Sequence, residues 1–170
     1  MISSEILIKE HDVILKRIVN IRTTLNGTLG NGIDQFEAFI QFCQIYADDF
    51  HHAKEEDIYF AWMRGKNPQL DNGPLMCMLS DHERGRFLIK FAIEAIQKYK
   101  ETQDGSYLMN MKKAFLEFAT LLENHISKEN DVLYKLADEM DQTFQDGDKF
   151  MLSQFEKVRE KFSSVVAQFE

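Results

Sequence analysis

The chain carries the stretch His51-His52-Ala53-Lys54-Glu55-Glu56, and a second copy follows at His125-Ile126-Ser127-Lys128-Glu129. In each copy a histidine stands four residues before a glutamate. On a helix these positions lie one turn apart on one face, so an imidazole nitrogen and a carboxylate oxygen can converge on one point. Such a pair can bind a metal ion. One copy can occur by chance on a solvated helix, whereas two copies and single histidines on two other predicted helices indicate a metal site.

Five helical segments are predicted from apolar residues that recur at helical spacing. Ser3 or Ser4 is expected to cap the first helix, and Asp34 the second, with Glu37 completing a capping box. A glycine-rich turn is expected between them, at residues 26–32. The predicted helices span roughly residues 3–26, 34–63, 74–102, 107–140 and 146–168.

Composition favours a helical protein of one domain. The chain has 170 residues, 44% of them hydrophobic, with only two prolines and eight glycines. That length allows a substantial core, and short connections between long helices favour antiparallel packing. We therefore expect an all-α fold, an up-down-up-down four-helix bundle over residues 1–140. Residues 141–170 should form an additional C-terminal helix packed on the bundle in the same domain, or offer a surface for self-association or a protein partner.

Charge and hydropathy exclude several classes of partner. The net charge of −8 argues against nucleic acid and anionic membranes as partners. No apolar run approaches the roughly 20 residues of a membrane span, and the N-terminus lacks a signal-peptide pattern. A cytoplasmic protein is therefore expected. Cys43 and Cys77 show no paired spacing, so they are interpreted as reduced thiols, although a role as metal ligands is possible.

The histidines should lie at one depth in the bundle. With about 1.5 Å of rise per residue, the distance of each histidine from the nearest interhelical turn can be compared between neighbouring antiparallel helices. The pairs His52 with His82, His82 with His125, and His11 with His52 each match within roughly one helical turn. Unrelated histidines would have little reason to match in all three comparisons.

Two glutamates are predicted beside these histidines in the core. Burying two carboxylates without partners would be very costly, and a pair of divalent cations would offset that cost. A metal-free polar core is the alternative interpretation. The candidate metal ligands are His11, His52, Glu56, His82, His125 and Glu129.

The upstream copy allows two registers, His52 with Glu56 or His51 with Glu55. Shifting by one residue rotates the pair by about 100° and takes it off the apolar stripe of the predicted α-helix. Apolar residues also follow Glu56 and Glu129 at the same spacing. We therefore predict the register of His52 and Glu56, with His51 either supporting a ligand or facing solvent.

Three acidic residues adjoin the predicted ligands. Asp49 lies one turn before His52 and could orient that ring by accepting its second N–H. Glu10 and Glu83 are each next to a ligand histidine in sequence and could reach a metal. The simpler interpretation places all three carboxylates in solvent.

The motifs together resemble the hemerythrin-like (HHE cation-binding) family over about residues 5–140: His11, His52-x-x-x-Glu56, His82 and His125-x-x-x-Glu129 fall on four successive predicted helices. The resemblance implies a left-handed four-helix bundle that holds two irons, with Glu56 and Glu129 as bridging carboxylates, the histidines as terminal ligands, and an oxo or hydroxo bridge. Oxygen-carrying hemerythrins have another histidine four residues from the one on the third helix, where this chain has Met78 and Arg86. The set of four histidines and two glutamates is more similar to the bacterial and iron-sensing branch.

The expected function follows from that ligand set. Mixed imidazole and carboxylate ligation suits ferrous and ferric iron, and a pocket lined by Phe and Ile would admit dioxygen and limit water. We expect a non-haem diiron protein that binds dioxygen or a related small oxidant for sensing, storage or scavenging. The alternatives are a diiron enzyme acting on peroxide or nitric oxide, and an iron-responsive interaction module. No nucleophilic triad, P-loop or dinucleotide motif is present.

Overall fold

A computed structural model describes residues 1–26 and 33–169, and within these residues the protein is built from helices without strands. The predicted turn at 26–32 lies outside the described residues except for Asn26, which ends the first helix. A short 3₁₀ turn at Pro68–Asn72 joins the second and third helices. The five long helices are α1 (Ile2–Asn26), α2 (residues 33–66), α3 (Pro74–Thr102), α4 (residues 105–144) and α5 (Gly147–Val166).

The predicted all-α fold class is confirmed. Helices α1 to α4 run in alternating directions, each packed on the next, and α4 closes the bundle against α1. Pro74 occupies the first position of α3, where its missing N–H is not needed. Gln103 ends that helix in a left-handed conformation, and Asp104 caps α4 by accepting from the Ser106 amide at 2.8 Å.

Helix α2 is wider than an α-helix over much of its length. Cys43–His52 and Glu55–Tyr59 are π-helical, and the Phe60 amide donates to the carbonyl of Glu55, five residues earlier. Such a turn holds about one residue more than an α-helical turn. Buried residues of α2 consequently recur every four positions, at Cys43, Ala47, His51, Glu55, Tyr59 and Met63.

Helix α4 contains a similar widening in its second half. Residues Glu129–Leu133 are π-helical, and the Tyr134 amide donates to the carbonyl of Glu129. Each copy of the histidine and glutamate motif therefore overlaps a π-helical segment. Such π segments are frequent at functional sites.

Helix α5 packs on the bundle and caps α1. Met151 and Phe155 of α5 are buried in an apolar cluster shared with α1 and α2. The Asp148 carboxylate accepts from the backbone amide of Ser3 at 2.8 Å and that of Ile2 at 3.2 Å. The predicted cap by Ser3 or Ser4 is wrong, because both residues lie within α1 and the capping oxygen comes from the other end of the chain.

A polar layer divides the apolar core into two clusters. Along α1, Leu7 belongs to one cluster and Ile14 to the other, with His11 between them. On α3, His82 lies in the same way between Met78 and Leu88. The bundle therefore places its buried histidines at the level between the two apolar clusters. In the part of the chain that the structure describes, no helix combines the length and the apolar character that crossing a bilayer requires.

Candidate metal centre

All five histidines of the chain are buried, each at most 7% exposed. They come from four helices: one from α1, two from α2, and one each from α3 and α4. Among the described residues, two groups of potential ligand atoms within 4.8 Å of one another include these histidines. The first consists of His52, Glu55, His82 and His125, and the second of His11, His51 and Glu55.

The first group, called here the outer cluster, has three imidazoles. The Nε2 atoms of His82 and His125 are 2.9 Å apart, and the ring of His52 stacks on that of His82 with centroids 3.8 Å apart. A Glu55 oxygen lies 3.5 Å from His82 Nε2. Three nitrogen ligands and a carboxylate are therefore within reach of one cation.

The second group, called here the inner cluster, shares Glu55 with the first. Glu55 Oε1 lies 3.6 Å from His51 Nε2 and 4.0 Å from His11 Nε2. Glu129 also spans both clusters, since one of its oxygens is 3.3 Å from His11 Nε2 and 3.2 Å from His125 Nε2. Each of the two carboxylates can thus bridge two cations.

Every histidine is oriented by a polar partner at Nδ1. A carboxylate or amide oxygen there fixes a tautomer in which Nδ1 carries the proton, so that Nε2 presents a lone pair. Such a partner is typical of metal-binding histidines. The pairs and their distances are His11 with Asn130 (2.8 Å), His51 with Glu10 (2.9 Å), His52 with Asp48 (3.3 Å), His82 with Glu56 (2.6 Å) and His125 with Asp81 (3.4 Å).

Several polar atoms in the centre lack hydrogen-bond partners among the described residues. They are Nε2 of His51, Oε2 of Glu55 and both carboxylate oxygens of Glu129. A buried polar atom without a partner costs about 1–3 kcal/mol, and more when charged. Cations between the two clusters would satisfy these atoms together, so the donor set fits a pair of metal ions.

Burial and mutual contact shift the pKa values in the centre. Burial and the Glu129 carboxylate raise the pKa of Glu55 well above its ordinary value. Burial opposes ionisation of Glu129 too, but His125 and His11 outweigh it and lower the pKa of that carboxyl. Burial, followed by neighbouring histidines, lowers the pKa of His82. A neutral imidazole is the form that binds metal.

The structure brings together five of the six predicted residues: His11, His52, His82, His125 and Glu129. Glu56 is the exception. Its side chain is 23% exposed and accepts hydrogen bonds from His82 Nδ1 at 2.6 Å and from Arg86 at 2.6 Å. Glu55, whose side chain is 0% exposed, takes the central position instead. Glu56 therefore orients a histidine rather than facing the centre.

The π-helical turns of α2 explain why the register predicted from the sequence differs from the one in the structure. The apolar stripe extrapolated at 3.6 residues per turn passes through His52 and Glu56, but the wider helix directs His51 and Glu55 inward. A signal for this register exists in the sequence. Aligning His51 with His125 also aligns Glu55 with Glu129, and it aligns the lysines that precede the glutamates.

His51 was predicted to support a ligand or to face solvent, but the structure buries it in the inner cluster at 1% exposure. The centre therefore contains five histidines rather than four. The residue that orients His52 is Asp48, which the sequence did not indicate. Asp49, the residue predicted for this role, is exposed. Glu83 lies on the surface, paired with Arg86 at 2.6 Å.

Buried charges around Glu10 hold the inner cluster in place. Glu10 pairs with His51 Nδ1 at 2.9 Å and with the ammonium of Lys54, which is 1% exposed. The Lys54 ammonium also lies 3.6 Å from the centroid of the Phe50 ring. Burial lowers the pKa of Lys54, and Glu10 partly counteracts that effect.

Arg86 and Tyr134 hold the carboxylates on two sides of the centre. The Arg86 guanidinium contacts Asp48 at 2.7 Å and Glu56 at 2.6 Å, and so fixes the acids that orient two histidines of the outer cluster. The Tyr134 hydroxyl donates to Glu55, and burial raises the pKa of Tyr134 well above its ordinary value, which keeps this donor protonated.

A cavity of about 270 Å³ lies beside the outer cluster, between α2, α3 and α4. His52, His82 and His125 line it, whereas the histidines of the inner cluster do not. Much of the remaining wall is apolar and includes Ile89 and Phe118. A small molecule in this cavity would reach one of the two clusters.

The chain matches the family model described as the Hemerythrin HHE cation binding domain over residues 3–137. The match includes all five histidines and both central glutamates, and it ends before α5. No curated protein and no solved structure gives a significant match to the chain.

Proposed function

The chain belongs to the hemerythrin HHE cation-binding domain family, and on that basis we propose that it is a non-haem diiron protein. In this proposal it binds dioxygen or a related small oxidant, for sensing, storage or scavenging. The observation that supports it best is the buried centre in which two carboxylates each contact histidines of both clusters.

We assign the metal ligands by cluster. His52, His82 and His125 would hold one iron, and His11 and His51 the other. Glu55 and Glu129 would bridge the pair, since each lies near histidines of both clusters. Glu55 replaces Glu56 in this assignment because the Glu56 carboxylate already accepts hydrogen bonds from Arg86 and from His82 Nδ1.

Imidazole and carboxylate ligands suit iron in both its ferrous and ferric states. A bound iron pair would supply reversible electron transfer to a small oxidant. The protein contributes the fixed tautomers of five histidines and the hydrogen bond that Tyr134 donates to Glu55. The apolar wall of the cavity would limit the access of water to an oxidant held there.

Metal analysis with optical spectra tests this proposal. Protein loaded anaerobically with ferrous iron should bind two irons per chain. Exposure to dioxygen should produce an absorbance band that disappears on deoxygenation. Binding of fewer than two irons would contradict the dinuclear assignment, and oxidation that cannot be reversed would argue against dioxygen storage.

The cavity beside the outer cluster also favours a second candidate function, a diiron enzyme that acts on peroxide or nitric oxide. A substrate in that cavity would lie against His52, His82 and His125. Turnover of hydrogen peroxide or nitric oxide, compared with a Glu55→Ala variant of the same preparation, would separate this candidate from a simple binding protein.

The remaining expectations on partners and location stay predictions. The expected cytoplasmic location rests on hydropathy and on the N-terminal sequence, and the expected lack of a nucleic-acid partner rests on the net charge of −8. A partner surface on α5 would have to use its outer face, where Phe150 is 49% exposed, because Met151 and Phe155 are buried within the chain.

A further inference from the structure

The cavity beside the outer cluster is larger than a diatomic oxidant requires. An engineered cavity of about 150 Å³ is large enough to bind benzene, whereas this one measures about 270 Å³. Dioxygen and hydrogen peroxide have two heavy atoms each. The volume therefore matches an organic molecule that consists of one ring with a short substituent, or of an aliphatic chain of similar volume.

The cavity wall favours an uncharged, apolar body. Ala47, Ile89, Ile93, Phe118 and Leu122 contribute apolar surface. Removing such a surface from water stabilises the complex in proportion to the apolar area that is buried. Binding would therefore be strongest for a ligand whose apolar surface faces the apolar wall.

The charged groups that line the cavity do not require an ionic ligand. Asp48 is paired with Arg86 at 2.7 Å, and Asp81 with Lys128 at 2.6 Å. Lys90, the remaining charged group of the lining, is exposed to solvent. A reactive polar group on the ligand is therefore best placed at the imidazoles of the outer cluster.

Resting on the proposed function, we propose that the oxidant is an organic hydroperoxide. Its apolar body fills the cavity, and its –OOH group faces His52, His82 and His125. The substrate class is thus set by the cavity as well as by the metal centre, and hydrogen peroxide, which has no apolar body, is the poorer substrate.

The reaction balances as a two-electron reduction. The O–O bond of ROOH would break, and a ferrous pair held by the two clusters would supply the two electrons. Two protons from solvent complete the products, so that one oxygen leaves as the alcohol ROH and the other as water. Further turnover would need an external electron donor, whereas a single turnover of the ferrous protein would need none.

Binding is tested first, without redox chemistry. The probe is 2-phenyl-2-propanol, the alcohol formed from cumene hydroperoxide, titrated calorimetrically into the protein as isolated. The variants Ile93→Trp and Ala47→Leu fill the cavity from two helices and should weaken binding at least tenfold. Leu116→Trp, a half-buried position on α4 that does not line the cavity, is the matched control and should leave binding unchanged.

Single-turnover oxidation of the ferrous protein tests the reaction. Cumene hydroperoxide should oxidise it faster than hydrogen peroxide, and the two cavity-filling variants should lower the ratio of these rates at least tenfold. Equal slowing of both oxidants, or no binding of the alcohol by the native chain, would overturn this inference alone. Failure to take up iron despite normal alcohol binding would instead overturn the proposed function.

Discussion

Glu55 and Glu56 are adjacent in sequence and have different roles in the structure. The Glu55 side chain is 0% exposed and lies in both clusters, whereas Glu56 is 23% exposed and orients His82. Burial raises the pKa of both carboxyls, but for Glu56 the guanidinium of Arg86 counteracts this effect. Variants of these two glutamates therefore allow the effect of a central carboxylate on metal binding to be compared with that of a peripheral one.

Replacing each glutamate by glutamine tests this difference, because the amide keeps the size and removes the charge. Glu55→Gln should abolish binding of both metals, since both clusters share this carboxylate. Glu56→Gln should still bind two metals per chain with roughly 10-fold to 100-fold lower affinity, the usual effect of changing a residue that orients a ligand. Metal content after dialysis measures both. A larger loss of metal in Glu56→Gln than in Glu55→Gln would support Glu56 as the ligand, as the sequence predicts.

Gly147, at the start of α5, has no room for a side chain. A Cβ atom there would lie 2.5 Å from Cζ2 of Trp62 and 2.9 Å from a carboxylate oxygen of Asp141. Gly147→Ala should therefore lower the free energy of unfolding by about 1–3 kcal/mol, as overpacking commonly does. Urea denaturation measures this change. Gly65→Ala is the control, because its Cβ would meet nothing within 4 Å.

At the level of the helices, α2 shows why the register of a motif depends on helix geometry. A π-helical turn inserts about one residue more than an α-helical turn. The π-helical segment Cys43–His52 therefore changes which residues of α2 reach the centre. This widening lets two consecutive histidines, His51 and His52, reach different clusters around the shared Glu55.

Helix α5 stabilises the start of α1 through Asp148. Its carboxylate accepts from Ser3 Oγ at 2.7 Å as well as from two backbone amides. Asp148→Ala should lower the free energy of unfolding by about 0.5–2 kcal/mol, the usual range for a lost cap. Urea denaturation of this variant and of Glu160→Ala, an exposed position on α5, gives the comparison. Equal stability of the two variants would contradict a capping role.

The contribution of Asp148 should depend on pH. Burial acts against its ionisation, but hydrogen bonds from Ser3 and Ile2 prevail and lower its pKa in the folded protein. The unfolded chain therefore binds this proton more readily, at a pKa of about 3.9. The stabilisation is present above that value and is lost as the pH falls below it. The stability difference between native protein and Asp148→Ala should accordingly shrink between about pH 5 and pH 3.

For the whole molecule, metal binding and stability should be coupled. The buried Glu55, Glu129 and histidines form a polar layer between two apolar clusters, and metal ions would satisfy them. A metal that binds only the folded state adds about 4 kcal/mol at a free concentration 1,000 times its Kd. For a domain of this size that corresponds to a rise in Tm of roughly 8–16 °C.

Thermal unfolding of the iron-loaded protein, before and after a chelator removes the metal, measures this coupling. In the Glu55→Gln variant, the Tm before and after chelation should differ much less. This variant therefore serves as the control for other effects of the chelator. An unchanged Tm in the native protein would show that the polar layer is stable without metal, as in the alternative of a metal-free polar core.

The sequence alone determined the helical architecture, the level of the histidines and most of the centre. Apolar periodicity and short connections decide how helices pack, and positions equally far from a turn meet at one depth, as for His82 and His125. Only the tertiary structure decided between Glu55 and Glu56. The choice depends on π-helical turns that a fixed spacing of 3.6 residues does not represent. The cavity, likewise, arises where side chains of three helices leave space, which no single stretch of sequence specifies.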